Sequence, residues 1–319
     1  MNDLESWLLE GDPSVRWQVL RDLTGASEDE VTVERSRVAQ TGQGKRLLDL
    51  YVEGAWAGGA CFPSQDWRPP DGPVGDPEGQ PWTATLPTLR LLREFGVDPQ
   101  DSRVVTAVDG VREGCRWEYD GSAFFDGEVE PCINGGTVAV GAYFGQDVDG
   151  VVRRLLGEQL DDGGWNCEAE NGSTRSSFHT TICVLEGLLD YERSGGDLEV
   201  ADARRLGEQY LLQRKLFRRA SSGEVADADW LQFSFPTQWH YDVLRGLDYF
   251  RAVGGTPDQR LTDAVEHVRS KRQPDGSWLQ ENTHPGLIHF ELEDGDGKPS
   301  RWNTLRALRV LRWTDEATA

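Results

Sequence analysis

RRLLGEQLDDGGW (153–165) and, after a polar loop, SSFHTTICVLEGLLDY (176–191) decide how this chain is built. The first segment carries leucines at helical spacing on one face and charge on the other. It stops at Asp-Gly-Gly, where glycine supplies the turn that ends a helix, and a Trp follows. The second segment is apolar on most sides, which predicts a helix buried on most sides. Together they read as one hairpin: an outer amphipathic helix, a turn, and an inner buried helix.

The unit recurs. Inner-type segments are VRWQVLRDLTG (15–25), PWTATLPTLRLLREFG (81–96), PCINGGTVAVGAYFG (131–145), FPTQWHYDVLRGLDYF (235–250) and SRWNTLRALRVLRW (300–313). Pro13, Pro81, Pro131, Pro236 and Pro299 stand at or before their openings, where a first helical turn tolerates a missing N–H. DAVEHVRSKRQPDGSW (263–278) repeats the outer type, and LLDLYVEGAWAGG (47–59) is a weaker copy. An open stack of such hairpins would expose buried-type helices at its ends, so the stack should close on itself. The expectation is an all-α fold, a single (α/α)6 toroid of about six hairpins, with residues 1–319 as one domain.

Composition narrows the function. Asp and Glu number 55 against 33 Lys and Arg, for a net charge of −22. A surface this acidic repels nucleic-acid phosphates and anionic membrane leaflets. No apolar run approaches the roughly 20 residues that span a bilayer. The opening MNDLESWLLEGD lacks the basic and apolar regions of a signal peptide. Cys61, Cys115, Cys132, Cys167 and Cys183 are odd in number and lack C-x-x-C spacing. Reduced thiols in a cytoplasm are the expectation.

Aligning the apolar positions sets Thr83, Cys132 and His179 at the first turn of the second, third and fourth inner helices. Cys132 and His179 should then share a height on the cavity wall, with Glu130 two residues before Cys132. Carboxylate, thiolate and imidazole are all zinc ligands, and three of them leave a fourth position open. Glu130, Cys132 and His179 are therefore the candidate metal ligands and zinc the candidate cofactor. Cys183, one turn beyond His179, reads as core. Cys167, Glu168 and Glu170, in a Gly-rich loop near the same rim, rank below the three. Trp82, Phe178, Trp239 and Trp302 open inner helices at that height, with Asn134 and Arg301 as polar groups in the layer. These six are the candidate substrate-binding residues. Glu128, His240 and Asp242 are the candidates for acid–base catalysis.

QPDGSW (273–278) and QLDDGGW (159–165) resemble the QW repeats of squalene and hopene cyclases. The stretch 159–188 is similar to the region of protein prenyltransferase β subunits that carries a zinc-binding His. There the preceding inner helix opens with Asp-x-Cys; here EPC (130–132) stands in that place. This resemblance to the terpenoid cyclase and protein prenyltransferase superfamily covers nearly the whole chain as architecture and about two repeats as functional motifs. It implies a toroid whose central cavity takes an isoprenoid-like substrate beside zinc. Two departures stand against parts of it. FFDGEVE (124–130) has three acids and no base where a diphosphate would need cations, and no D-x-D-D is present. A zinc-dependent enzyme acting on an apolar small molecule, isoprenoid among the candidates, is the leading expectation, and no partner subunit is evident. A carbohydrate-active toroid, or a noncatalytic binding protein with a structural metal, remains open at this point.

Overall fold

The computed structural model describes residues 3–70 and 72–317. Along these residues run α1 (Asp3–Leu9), α2 (Pro13–Leu23), α3 (Glu28–Ser36), α4 (Gly42–Asp49), α5 (Thr85–Phe95), α6 (Ser102–Gly114) and α7 (Pro131–Tyr143). They are followed by α8 (Asp149–Gly157), α9 (Phe178–Arg193), α10 (Ala201–Gln213), α11 (Val243–Val253), α12 (Thr262–Ser270) and α13 (Arg301–Glu316). Helices α2, α5, α7, α9, α11 and α13 form the inner ring. Each follows an outer partner, α1, α4, α6, α8, α10 or α12, while α3 is an extra helix beside α2. The all-α toroid of six hairpins expected from the repeats is thus the architecture found.

Side chains tie each inner helix to the next and close the ring. Trp17 Nε1 of α2 donates to Phe95 O of α5 at 2.8 Å, and Tyr143 OH of α7 donates to Val97 O just after α5 at 2.7 Å. Arg245 of α11 pairs with Glu186 of α9 at 2.7 Å. Arg309 of α13 reaches Asp248 of α11 at 3.0 Å and Gln18 of α2 at 2.9 Å. Between α7 and α9 the backbones themselves meet. A Cβ on Gly135 would lie 2.5 Å from Cys183 O, and one on Gly187 would strike Gly135 O. Two glycines therefore let α7 and α9 pack backbone against backbone. One continuous buried apolar cluster runs from Leu8 to Leu311.

The Trp after each Gly turn has a repeated role. Trp56, Trp165 and Trp278 are fully buried, and their indole N–H groups donate to Leu47 O, Leu155 O and Val268 O, each at 2.7 Å. Their backbone N–H groups donate to Thr85, Thr181 and Thr304 of the following inner helix at 3.1, 3.1 and 2.9 Å. Each Trp thus fastens an outer helix to the inner helix that follows. The preceding turns need left-handed backbone, and Gly163 and Gly276 supply it at φ 95° and 92°.

Three regions differ from the sequence reading. Residues 81–84, read as the opening of the second inner helix, precede α5, so Thr83 lies before its first turn and not in it. Residues 235–242, read as the start of an inner helix, form a loop; α11 begins at Val243. Asp242 is extended and its carboxylate accepts the N–H of Arg245 at 2.7 Å, which caps the helix there. The long connection between α12 and α13, to which the sequence assigned no role, crosses the N-terminal end of the ring. Leu287–Ile288 pairs antiparallel with Val74–Gly75, Leu287 O accepts Trp82 N–H at 2.7 Å, and His289 Nε2 lies 2.9 Å from Thr88 Oγ1 of α5. Among the described residues no helix is long and apolar enough to cross a membrane.

Candidate functional site

A cavity of about 620 Å³ opens among the N-terminal ends of α5, α7 and α9. Proline starts α7 and Ser177 caps α9, so each helix begins where its second residue, Cys132 or His179, faces the same space. Aromatic side chains make much of the wall: Phe62, Trp82, Trp117, Tyr119 and Trp239. Its charged lining is Glu118, Glu128, Glu130 and Glu168 against the single guanidinium of Arg90.

At one point on this wall Glu130, Cys132 and Cys167 bring their ligand atoms within 4.8 Å of one another. Cys132 Sγ donates to Glu130 Oε2 at 3.5 Å, and Cys167 Sγ lies 3.4 Å from Thr180 Oγ1. The two sulfurs lie close enough to interact. That interaction, helped by Thr180, lowers the pKa of Cys167; the same interaction and burial hold Cys132 well above the usual thiol range. Asn134 of α7 fixes the approach. Its side chain accepts Glu128 N–H and donates to Glu128 O, both at 2.7 Å, and Glu128 in turn accepts the N–H of Glu130 at 2.8 Å.

His179 lines the cavity outside this group. Its Nδ1 accepts the N–H of Tyr241 at 2.9 Å, which places the proton of a neutral ring on Nε2. Burial, with the charge of Arg245 adding, brings its pKa down to about 4, so the ring is neutral at pH 7. A protonated Nε2 is a hydrogen-bond donor and has no lone pair to offer a metal. The donor set that converges is therefore carboxylate and two sulfurs, one sulfur contributed by the Gly-rich loop.

The remaining candidates divide between cavity and framework. Trp82 and Trp239 line the cavity, and Trp239 Nε1 donates to Gln80 Oε1 at 2.9 Å. Glu128 lines it as well. Phe178 packs against Tyr210, Trp230 and Tyr241, and Trp302 stacks on Phe235 at 4.2 Å. Arg301 lies over the Trp7 ring and donates to Trp7 O. Asn134 is a clamp on Glu128, and Asp242 is spent on capping α11. His240 is stacked between Trp239 at 3.8 Å and His284 at 3.7 Å, with its buried Nδ1 lacking a partner. Cys183 is buried, donating to Trp239 O and accepting from Arg245.

Residues that the sequence did not single out include Glu118, Arg90, Trp117 and Tyr119. Glu118 accepts the N–H groups of Ala60, Cys61 and Phe62, which shapes the rim. Burial pushes the nearby Cys61 thiol up to about 12, with the charge of Glu118 adding. Nothing in the local pattern around Glu118 marks it, because its partners lie 56 to 58 residues away.

No protein-family model matches this chain, and no curated protein does. Among solved structures it is similar to a variant of the type II terpene cyclase MstE from Scytonema in complex with its substrate, geranylgeranyl dihydroxybenzoate. The identity is 13% and the TM-score 0.44, over 96% of this chain and 86% of that one. That likeness concerns the general course of the chain and leaves the chemistry to the cavity described above.

Proposed function

We propose that the protein is a zinc-dependent enzyme acting on an apolar small molecule in the 620 Å³ cavity, with Glu130, Cys132 and Cys167 as the metal ligands. The observation that carries this reading is the convergence of one carboxylate and two sulfurs on a single point of an aromatic wall. Their donor chemistry suits zinc, whose bonds of about 2.0–2.3 Å put neighbouring ligands within about 4 Å of one another. Bound there, zinc would supply Lewis acidity to a substrate heteroatom or to water. The chain's own groups do the rest. His179 presents a neutral N–H donor from Nε2 toward the substrate. Glu128 is the carboxylate nearest the ligand group in sequence and is the proposed proton donor. Trp82 and Trp239 hold the apolar body by area and shape. The acidic lining, with Arg90 its one cation, disfavours an anionic substrate such as a prenyl diphosphate.

A carbohydrate-active reading is weaker because Glu118 is spent on three backbone N–H groups and Glu130 lies in the metal group, which leaves Glu128 and Glu168 as its acid pair, and Glu128 already holds the N–H of Glu130. A single domain over the whole chain and a reducing, cytoplasmic setting complete the proposal; the five cysteines form no disulfide.

Metal analysis tests the ligand set. Purified protein should carry about one zinc per chain. Cys132→Ser and Cys167→Ser should lose it, and His179→Gln should retain it. Zinc-free wild type, or zinc retained in both cysteine variants, overturns the proposal. Loss in His179→Gln with retention in Cys167→Ser would return His179 to the ligand set.

A further inference from the structure

The inner helices run parallel, so their C-terminal ends gather at the pole opposite the first cavity. A second cavity of about 250 Å³ lies there. Six guanidinium groups face it, from Arg93, Arg193, Arg245, Arg251, Arg306 and Arg309, against the carboxylates of Glu94, Glu186, Asp190 and Asp248. In a chain of net charge −22 this reverses the balance of the molecule and of the first cavity.

Arginines near helix C-termini are expected to offset the helix dipoles and to pair with acids. Pairing accounts for three of the six. Arg93 is bound to Asp190, Arg245 holds both oxygens of Glu186 at 2.8 and 2.7 Å, and Arg251 Nε donates to Asp248 Oδ1 at 2.7 Å. The two arginines of α13 are only partly satisfied. Arg306 makes its hydrogen bonds, to Ser234 O and Asn303 Oδ1, through Nη1, and its Nε stays 3.9 Å from Asp248. Arg309 reaches Gln18 and Asp22 through Nη1 at 2.9 and 3.4 Å and Asp248 through Nη2 at 3.0 Å, and its Nε is buried with no partner. Both side chains are only 8% exposed. Buried charged donors with unspent N–H groups are costly unless an acceptor meets them. Arg193 stands exposed at the rim and is bound only to Ala252 O. With Asp22, which pairs with Arg309, five carboxylates meet the six guanidinium groups, so the site keeps a surplus of one positive charge.

We propose that this polar cavity binds a small oxyanion of the phosphate class, held between Arg306, Arg309 and Arg193. Its negative charge offsets the surplus, and its oxygens meet the unspent donors. The site is independent of the metal ligands. Arg90, which lines the first cavity, and the Glu186–Arg245 pair, which lines the second, form a layer between them, with Gln238 O accepting from Arg90 at 2.8 Å and from Arg245 at 3.2 Å.

Calorimetric titration of the full-length protein with inorganic phosphate, against chloride at matched ionic strength, tests this. Saturable binding of one anion per chain is expected. Arg306→Gln should weaken it about tenfold or more, the loss expected for one charge-assisted contact. Arg193→Gln, at an exposed position that leaves the fold intact, should weaken it several-fold, so the test survives if Arg306→Gln does not fold. Glycerol phosphate in a parallel titration identifies the source: tighter binding than phosphate marks a phosphate ester, weaker binding the free ion. Heat that follows ionic strength instead of anion identity, or an unchanged affinity in Arg193→Gln, overturns the proposal.

Discussion

A histidine near the start of a buried helix can be read from sequence, but the nitrogen it spends on the framework cannot. His179 gives Nδ1 to the N–H of Tyr241, 62 residues away, and that long-range bond makes the cavity-facing nitrogen a donor. Cys132 and Glu130 were legible because both sit at the opening of a repeat. Cys167 ranked lower, since only folding of its Gly-rich loop brings its sulfur beside Cys132. Asn134 shows the same limit: it was expected to contact substrate, and it instead clamps Glu128 through two hydrogen bonds. Asn134→Ala should lower unfolding free energy by about 1–3 kcal/mol, because the Glu128 backbone groups lose their partner. Urea unfolding reads this directly. The variant should also bind zinc more weakly, as the run from Glu128 to Glu130 loses its anchor. Unchanged stability would mean that water replaces the amide at no cost.

At the scale of elements, all six inner helices were visible as apolar segments, and their boundaries mostly agree. The exceptions are 81–84, which precede α5, and 235–242, which has the composition of the other openings but where the carboxylate cap at Asp242 delays the helix. The segment across the N-terminal end of the ring was unreadable because its contacts, to Val74, Trp82 and Thr88, are all remote in sequence. Between α7 and α9, glycine at 135 and 187 is required by the neighbouring backbone. Gly187→Ala should destabilise the fold by about 1–3 kcal/mol through overpacking. Gly150→Ala, where an added Cβ meets nothing within 4 Å, should be neutral or slightly stabilising. Thermal melts of the two variants decide the matter, and equal melting temperatures would mean that α7 and α9 part freely. Thr304→Val tests the Trp fastening in the same way. It strands the N–H of Trp278 in the core and should cost about 1–3 kcal/mol.

Over the whole molecule, neutral imidazoles make stability depend on pH. Burial holds His284 and His289 to about 4 and His240 to about 3, against 6.5 for a free side chain; His284 and His179 add to the effect at His240, and Arg245 adds at His284. Below pH 6.5 the unfolded chain takes up protons that the folded chain refuses until near pH 4, so stability falls across that window. Asp190, Asp242 and Glu293, raised by burial, act in the opposite sense. The clean measurement is therefore a difference. His289→Gln keeps a partner for Thr88 and should decline less steeply than wild type, by up to ~1.4 kcal/mol per pH unit, the weight of one proton. Urea unfolding at pH 7, 6 and 5 gives both slopes, and parallel slopes would show that His289 titrates as a free side chain does.

The layer of Arg90, Glu186 and Arg245 also governs traffic. It stands between the two cavities, so a molecule held in the first is not handed on to the second, and each exchanges with solvent on its own side. Under the proposed function, a spent molecule and a fresh one then contend for the same first cavity, and product should inhibit competitively.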